Sequence, residues 1–528
     1  MAWRAATAGI LLATGLSSAS APPSLAQTAA PSTTPGWMAN VPSARPMPPL
    51  GDFPRWPSGP GYYSLMDALR GTRRDGPPRY PYRAYGLSPP PLFDVDFRYL
   101  DDPNNTQKDV FDPIHRIRLG EDWLLNLGAQ VQWRHQNEQS SRLSGNNNTF
   151  DMLRTTIYAD LWYRDKVRAF VQPYDARIFD EDLPIGPLDA DHHDIQNLFV
   201  DMNLGEVRDK AVYLRVGRQE MLYGSQRLIS TLDWANVRRT FEGVKVFRTS
   251  EKLDLDLFWV QPVNVFAPHA NSVYESRPNH ADGDQNLVGL WTTYRPRKNH
   301  FVDAYYLMLD NDNRNTALGI ERMPFQVHTI GGRYYGDYGR FLWDVEAMLQ
   351  VGESTRNDLL AGSSSVGVGY HFQGAPLDPT LWAYYDFASG DQDPGSGRAT
   401  TFHPLFPFGH YYQGWSDVVG RQNVHDLGAY LGVWPTKWIM VRLQYHHLEL
   451  VSEKDALYNI VGVPYRRDPS GDAGRHIGDD LTLIVNFHID AHLDILTGYA
   501  HLFPGRFVRR TGSDDQVGMF YLIWNFHF

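Results

Sequence analysis

Residues 123–134 read WLLNLGAQVQWR, a run in which every second side chain is apolar from Trp123 to Trp133. Four of the intervening positions carry polar side chains, namely Asn126, Gln130, Gln132 and Arg134. A period of two predicts a β-strand with one apolar and one polar face. The run is longer than the five or six residues of most strands in soluble sheets, and it suits a tilted strand that crosses a membrane.

The same alternation recurs along the chain, for example at residues 253–259 and 341–351. The fold class that this pattern predicts is all-β, a transmembrane antiparallel β-barrel of about eighteen strands preceded by a Pro-rich N-terminal extension. The predicted strands are 122–137, 151–163, 166–178, 194–204, 210–219, 242–249, 252–262, 285–296, 299–310, 327–336, 339–351, 364–373, 379–388, 424–434, 436–450, 478–489, 491–503 and 516–528.

The predicted connections alternate in length. Those after the odd-numbered strands are long and polar, as at 220–241 and 389–423, whereas those after the even-numbered strands are mostly tight, as at Arg164-Asp165. Outer-membrane barrels have this arrangement, with short periplasmic turns and long external loops. A soluble sandwich has no reason to separate its loops in this way, and no repeat of 40–50 residues supports a propeller.

The last predicted strand carries an aromatic stripe that includes Phe520, Trp524 and the C-terminal Phe528. This end resembles the signal that bacterial barrel-insertion machinery recognises, so that machinery and outer-membrane lipid are expected partners. A closed sheet also pairs every backbone donor within lipid. We therefore expect the protein in the bacterial outer membrane.

The N-terminal part of the chain divides into two predicted segments. Residues 1–26 have the basic start, short apolar core and small residues before the cleavage point of a signal peptide. Residues 27–91 are rich in Pro, Ser and Gly and form an extension, with a periplasmic tether and a plug as open alternatives. Residues 92–528 form the predicted barrel domain.

Composition excludes several classes of protein. The 528 residues contain no Cys, so a disulfide framework and a Cys-ligated metal are excluded. The net charge of -11 argues against a nucleic-acid partner, and 13% aromatic residues argue against disorder. A mean hydropathy of -0.42 excludes a bundle of membrane helices but is compatible with alternating strands.

A barrel of about eighteen strands is wide enough for an aqueous channel. By parity its inward-facing bases are Arg134, Arg154, Arg168, Arg215, Lys245, Arg333 and Arg442. Its inward-facing acids are Asp160, Asp201, Asp254, Asp256, Asp303, Asp344, Glu346, Asp426 and Asp494. The two signs roughly balance, so parity alone does not predict anion selectivity, and pairing across strands is an equally open interpretation.

The segment at 217–243 contains GRQE, YGSQRL and LDWANVRRTFEG, and it is too rich in Leu, Ile, Trp and Phe for a loop in water. We expect it to fold into the barrel. This fold would set Arg218, Arg227, Arg238 and Arg239 across the pore. The planar guanidinium group suits carboxylates because it can bind both oxygens.

These motifs, with FHPLFPFGHYYQGWSD at 402–417 and YDFASGD at 385–391, resemble the alginate-export outer-membrane channel family over about residues 95–528. The resemblance implies an eighteen-stranded barrel that passes an anionic polyuronate such as alginate through an arginine-lined lumen. Through the matching motifs, the resemblance also implies site roles for Arg218, Arg227, Asp233, Trp234, Asn236 and Arg239. The function we predict is an outer-membrane channel or porin for a saccharide or other anionic solute.

The alternative function is a barrel-embedded enzyme that acts on lipid or polysaccharide. Its candidate residues are His192-His193-Asp194, His446-His447, and His410 with Asp417. Adjacent histidines on a strand point to opposite faces, and no Gly-x-Ser-x-Gly motif is present. We predict no catalytic residue, no cofactor and no metal, with Asp391 and Asp393 as weak Ca²⁺ candidates.

Overall fold

The computed structural model describes residues 35–42, 45–46, 54–79, 81–82, 90–265, 279–312, 315–317, 320–322, 324–354 and 357–528. The predicted signal peptide at residues 1–26 lies outside the described residues.

Eighteen long antiparallel strands form the wall, as the sequence predicts. They are β1 Trp123–Gln139, β2 Asn148–Tyr163, β3 Val167–Phe179, β4 Asp191–Val207, β5 Lys210–Gln219, β6 Phe241–Arg248, β7 Leu253–Asn264, β8 Gln285–Tyr294, β9 Phe301–Asn311, β10 Phe325–Tyr338, β11 Phe341–Ser354, β12 Asn357–His371, β13 Thr380–Ala388, β14 Val424–Thr436, β15 Ile439–Leu450, β16 His476–His488, β17 Leu493–Pro504 and β18 Val517–His527. Their bounds lie within a few residues of the predicted ones, except that β12 begins seven residues earlier.

The barrel closes through its first and last strands. Strand β1 pairs antiparallel with β18, with Trp133 opposite Trp524 and Gln139 opposite Gly518. Every other wall strand pairs with the wall strands before and after it. Closure removes the free edges of the sheet. The backbone donors and acceptors of the wall are then paired between strands, as a lipid environment requires.

The two faces of the wall differ in chemistry. Large apolar side chains point outward, such as Leu257 at 53%, Ile330 at 57% and Val368 at 59% exposed. The intervening positions point inward and are buried, and many are charged, as Asp256 is between Leu255 and Leu257. The alternation therefore presents apolar side chains to lipid and a polar surface to the lumen.

Shorter elements lie outside the wall. The described residues contain three α-helices, α1 Leu65–Arg70, α2 Gly409–Tyr412 and α3 Arg506–Thr511. Short strands occur at Ile117–Leu119, His280–Ala281, Asn315–Ala317, Ile320–Arg322, Arg398–Ala399, Ala456–Tyr458 and Pro464–Arg467. Short 3₁₀ turns occur at Gly36–Ala39, Leu92–Asp94, Arg98–Asp101, Asp112–Ile114 and Ser141–Leu143. No helix in the described ranges is long and apolar enough to cross a membrane.

The described part of the N-terminal extension contacts the barrel at the end that carries the short turns. The Trp56 indole donates to the Lys437 carbonyl oxygen at 2.8 Å, in the turn between β14 and β15. The Met66 backbone N–H donates to the Ile489 carbonyl oxygen at 3.0 Å, in the turn after β16. Helix α1 therefore lies beside the periplasmic turns.

The extension also reaches inward-facing side chains of the wall. Arg45 makes a bidentate ion pair with Asp256 on β7, at 2.7 and 2.8 Å. Phe93, which directly follows the extension in the chain, packs against Phe170 on β3 and Phe199 on β4, with ring centroids 5.8 and 5.2 Å away. These contacts place parts of the N-terminal segment inside the lumen.

Candidate functional site

The connection after β5, residues 220–240, lies inside the barrel. Nearly all of its side chains are buried, and only Leu222 and Arg239 are partly exposed. Its apolar residues Met221, Leu228 and Ile229 join a buried cluster with wall residues. We call residues 220–240 the first inner loop.

A second connection also folds into the lumen, which the sequence did not lead us to expect. Residues 389–423, here the second inner loop, follow β13 and contact the first inner loop. The Phe406 N–H donates to the Leu228 carbonyl oxygen at 2.8 Å, and the Ser230 N–H donates to the Phe406 carbonyl oxygen at 3.0 Å. The two loops therefore form one partition across the barrel.

Aromatic stacking joins the same two loops. Trp234 stacks on His410 with ring centroids 3.6 Å apart, and its indole N–H bonds to Asp417 at 3.0 Å. The His410 Nδ1 atom lies 2.6 Å from the other Asp417 oxygen. Burial lowers the pKa of His410 although the Asp417 carboxylate opposes this shift. A buried imidazole beneath a tryptophan ring is a packing element here, not an accessible base.

Arg227 lies at the centre of a balanced charge cluster. Its guanidinium lies 2.8 Å from Glu346 and 3.4 Å from Asp344, both on β11. Arg333 on β10 pairs with the second oxygen of Asp344 at 2.6 Å. Arg421 of the second inner loop pairs with Asp386, also a neighbour of Arg227, at 3.0 and 4.0 Å respectively. Three arginines thus face three carboxylates.

A second cluster, here the Arg154 cluster, has more bases than acids. Arg154 and Arg238 each lie 2.9 Å from Asp233. Arg238 also lies 2.6 Å from Glu220. Arg134 donates to the Trp234 carbonyl oxygen at 2.6 Å, and its guanidinium stands 4.5 Å from the Trp234 ring centroid. Three guanidinium groups therefore share two carboxylates at this point of the lumen.

Arg168 and Arg215, two further arginines predicted to face the lumen, bind carboxylates of the wall, and Arg168 also binds the N-terminal segment. Arg168 pairs with Asp160 at 2.7 Å and donates to the Phe93 carbonyl oxygen at 2.7 Å. Arg215 pairs with Asp201 at 2.7 Å. These contacts match the interpretation in which charges pair across strands.

Arg218 and Arg239, also predicted to line the pore, lie apart from the Arg154 cluster. Arg218 pairs with Glu242 at 2.6 Å and with Asp194 at 3.2 Å. Arg239 donates to the Pro407 carbonyl oxygen at 3.2 Å.

Asn236 and Arg442, two other predicted site residues, also contact groups within the protein. Asn236 donates to the carbonyl oxygens of Arg177 and Asp189 at 2.9 and 2.8 Å. Arg442 stands 4.8 Å from the Tyr411 ring centroid. The structure therefore does not collect all predicted arginines into one arginine ring.

The cavities in the described part of the lumen include three of about 50 to 70 Å³ each. One lies between the extension and the first inner loop, lined by Tyr82, Arg134, Trp234, Arg238 and other residues. Volumes of this size hold a few water molecules. Each of these three spaces is too small for a chain of sugars.

Of the alternative enzyme sites, His410 and Asp417 are in direct contact, and the other candidate residues bind separate partners. His446 is buried on the inner face beside Asp426 at 2.8 Å, whereas His447 faces outward. His193 lies 3.2 Å from Asp175, and Asp194 is engaged by Arg218.

The weak Ca²⁺ candidates lie in the second inner loop. The Asp391 carboxylate accepts from the Asp393 backbone N–H at 3.1 Å, and the Asp391 N–H donates to Asp455 at 2.9 Å. Neither residue belongs to a group of His and carboxylate ligands close enough for a metal among the described residues.

Sequence reasoning missed the contribution of the second inner loop. His410, Asp417 and Arg421 complete the partition, although the sequence stretch 402–417 served only as a mark of resemblance. Its aromatic density, with Phe402, Phe406, Phe408, Tyr411, Tyr412 and Trp415, is the same signal that predicted an inward fold for the first inner loop.

The fold resembles solved outer-membrane proteins. Pseudomonas aeruginosa OccK8 (OprE) aligns with a TM-score of 0.51 at 11% identity, over 76% of this chain and 98% of that chain. The outer membrane protein OprD from Pseudomonas aeruginosa aligns with a TM-score of 0.49 at 11% identity, over 76% and 93%. At such low identity the OccK8 match indicates a shared fold alone. No curated protein matches the sequence significantly.

The closed wall, its lipid-facing apolar side chains and its inner loops define a bacterial outer-membrane β-barrel of porin type. The chain belongs to the alginate export family, whose sequence profile matches residues 123–521. Family and fold together support an outer-membrane channel for a saccharide in preference to an enzyme.

Proposed function

We propose that the protein passes an anionic saccharide, such as a polyuronate of the alginate type, through a lumen that its own inner loops and N-terminal extension keep closed at rest. Membership of the alginate export family supports the saccharide. The Arg154 cluster supports the negative charge of the cargo.

The observation that carries this proposal is that three guanidinium groups of the Arg154 cluster share two directly paired carboxylates. Arg134 and Arg238 line the cavity between the extension and the first inner loop, and Arg154 stands behind Asp233. Asp233 and Asp494 also line this cavity; Asp233 is paired with Arg154 and Arg238, and Asp494 accepts from His488 at 3.1 Å. A carboxylate-bearing sugar would bring a compatible charge to these guanidinium groups.

Passage requires the closed conformation to change. The extension is attached at the lumen's periplasmic end by ion pairs such as Arg45 with Asp256 and by two small apolar clusters that include Met38, Val41 and Tyr82, whereas the inner loops pack through larger apolar clusters. Segments held by few apolar contacts are the ones that open at low free-energy cost. We therefore assign the extension, and not the partition, as the movable part.

The test compares entry of an oligouronate and a neutral oligosaccharide of equal length into liposomes that contain the protein. A variant lacking residues 27–91 provides the open state. We expect faster swelling with the oligouronate, and we expect Arg134→Gln with Arg154→Gln to slow only the oligouronate. Arg177→Gln is the matched control, because this side chain is 39% exposed and pairs with Asp175 outside the cluster. Equal entry of both sugars in all variants would contradict the proposed cargo.

A further inference from the structure

Strands β15 and β16 carry a group of ligand-type side chains on the outer face of the barrel. His447 lies near the end of β15, and His476 and Asp479 lie at the start of β16. The connection between the two strands is long, so these residues lie at the external end of the wall. All three side chains are about one-third exposed.

A β-bulge brings His476 to this face. In the pairing of β15 with β16, Leu448 lies opposite Gly478 but Glu449 lies opposite His476, so Ile477 is the extra residue. Ile477 and Gly478 are both buried, and His476 and Asp479 therefore point outward together although they are three positions apart. Bulges re-aim side chains in this way, often next to functional sites.

Glycine at 478 is required by close packing at the bulge. A Cβ atom at this position would lie 2.5 Å from the Phe503 backbone carbonyl oxygen, a distance at which no side chain fits. The local sequence His476-Ile477-Gly478-Asp479 thus permits the bulge and supplies both outward ligands.

The three side chains are close enough to bind one ion. The His447 Nδ1 atom lies 2.8 Å from Asp479 Oδ1, and the His476 Nε2 atom lies 3.3 Å from Asp479 Oδ2. One ligand atom from each residue lies within 4.8 Å of the others. The His476 Nε2 atom is itself buried and has no hydrogen-bond partner within the described structure. An orphaned imidazole nitrogen that faces a carboxylate is placed as a metal ligand would be.

Neighbouring side chains support the same geometry. The Tyr445 hydroxyl donates to Asp479 Oδ1 at 2.7 Å, which orients the carboxylate. Glu449 Oε1 lies 3.6 Å from His447 Nε2 and offers a further oxygen on the same face. Such outer contacts commonly fix the orientation of metal ligands.

We propose that His447, His476 and Asp479 bind one divalent transition-metal ion of the Zn²⁺ class at the external rim of the barrel. Two imidazoles and one carboxylate suit Zn²⁺, whereas Ca²⁺ and Mg²⁺ favour oxygen ligands alone. Three protein ligands leave a coordination position open to water or Glu449. The ion would tie β15 to β16 at the base of the loop 451–475 and stabilise that end of the wall.

The test measures Zn²⁺ binding to the full-length protein in detergent after treatment with a chelator, by titration calorimetry and X-ray absorption. We expect one Zn²⁺ per chain and a first shell of two imidazoles with oxygen. His476→Ala and His447→Ala should each weaken the affinity at least tenfold, since even changes to outer contacts weaken it about 10-fold to 100-fold. His328→Ala is the matched control, because His328 also faces outward but bonds to Tyr306 on β9.

Two results would overturn the proposal. The first is wild-type protein without stoichiometric Zn²⁺ binding, which would leave an ion-pair network of two histidines and one aspartate. The second is a first shell of oxygen alone, or unchanged affinity in both variants that lack a histidine. The X-ray absorption result on wild-type protein decides the question even where a variant fails to fold.

Discussion

Trp234 stacks on His410 with ring planes 8° from parallel and centroids 3.6 Å apart, and this contact joins two loops that are far apart in sequence. The Trp234 indole also bonds to Asp417, and its ring packs edge-on against Tyr521 of the wall at 5.0 Å. One side chain thus links the first inner loop, the second inner loop and β18. The partition across the lumen depends on this link.

Trp234→Ala should loosen the partition and raise the open-channel conductance in planar bilayers. Truncation of a buried aromatic costs about 3–5 kcal/mol when its surroundings do not collapse. The control is Trp259→Ala, since Trp259 is 47% exposed on the lipid-facing surface of β7. Equal conductance of the Trp234→Ala and Trp259→Ala variants would show that the partition does not limit ion flow.

Arg227→Ala should lower both the thermal stability of the barrel and its preference for anions. Asp344 and Glu346 would lose their shared partner, and removal of one member of a buried ion pair costs about 3–5 kcal/mol. Arg177→Ala is the control, because exposed pairs contribute about 0–1 kcal/mol. Reversal potentials in a salt gradient measure the selectivity, and an unchanged reversal potential would reject a role for Arg227 in selectivity.

Attachment of the segment around Asp109 should weaken as the pH rises above neutral. His492 Nε2 lies 2.8 Å from Asp109, in the turn before β17, with Asp490, His115 and the His527 carbonyl oxygen nearby. Burial alone would lower the pKa of His492, but the hydrogen bond to Asp109 and its charge raise the pKa above the ordinary 6.5. For Asp109 burial alone would raise the pKa, but the bond from His492 lowers it below 3.8.

The sign of the pH effect follows from these directions. The raised pKa of His492 stabilises the contact fully below about pH 6.5, and this contribution is lost as pH rises through the folded value. The lowered pKa of Asp109 stabilises the contact above about pH 3.8 and is lost as pH falls through the folded value. Protection factors of residues 105–115, which remove the intrinsic rise of amide exchange with pH, should therefore be larger at pH 6 than at pH 9. His492→Ala should abolish the difference, and a difference that persists in this variant would assign it to another group.

The period of two was enough to predict the wall. Residues such as Trp123 and Trp133 report the lipid-facing side locally, because alternate side chains on a strand point to opposite faces. Loop lengths then indicated which end faces outward. The alternation along a strand and the length of a connection are both set by residues that are close together in the chain, so a single sequence is enough to recognise them.

The interior of the lumen depends on contacts between distant residues. Arg45 and Asp256 are 211 positions apart, and Tyr412 bonds to the Ser225 carbonyl oxygen across 187 positions. No local pattern reports such pairs. The bulge at Ile477 is another case, because the predicted strand began at residue 478 and so excluded His476.

A cross-link between the extension and the wall should stop passage. A Cβ atom at Gly432 on β14 would lie 3.1 Å from Pro54 Cβ, so a small outward shift of the extension reaches the Cβ separation of about 3.5–4.5 Å that a disulfide needs. The chain contains no Cys, so Pro54→Cys with Gly432→Cys introduces one defined pair. Liposome swelling with an oligosaccharide should be lower in the oxidised than in the reduced variant. Identical swelling in both states would show that the extension need not move.

The single-channel conductance of the chain from residue 27 onward, which is the mature chain if the predicted signal peptide is removed, compared with that of a chain lacking residues 27–91, tests most directly whether the extension closes the barrel. We predict small or rare openings for the mature chain and larger, frequent openings for the shortened one, because the contacts of Arg45, Trp56 and Met66 would be lost. Equal conductance of the two chains, with both barrels folded, would contradict closure of the channel by its own extension.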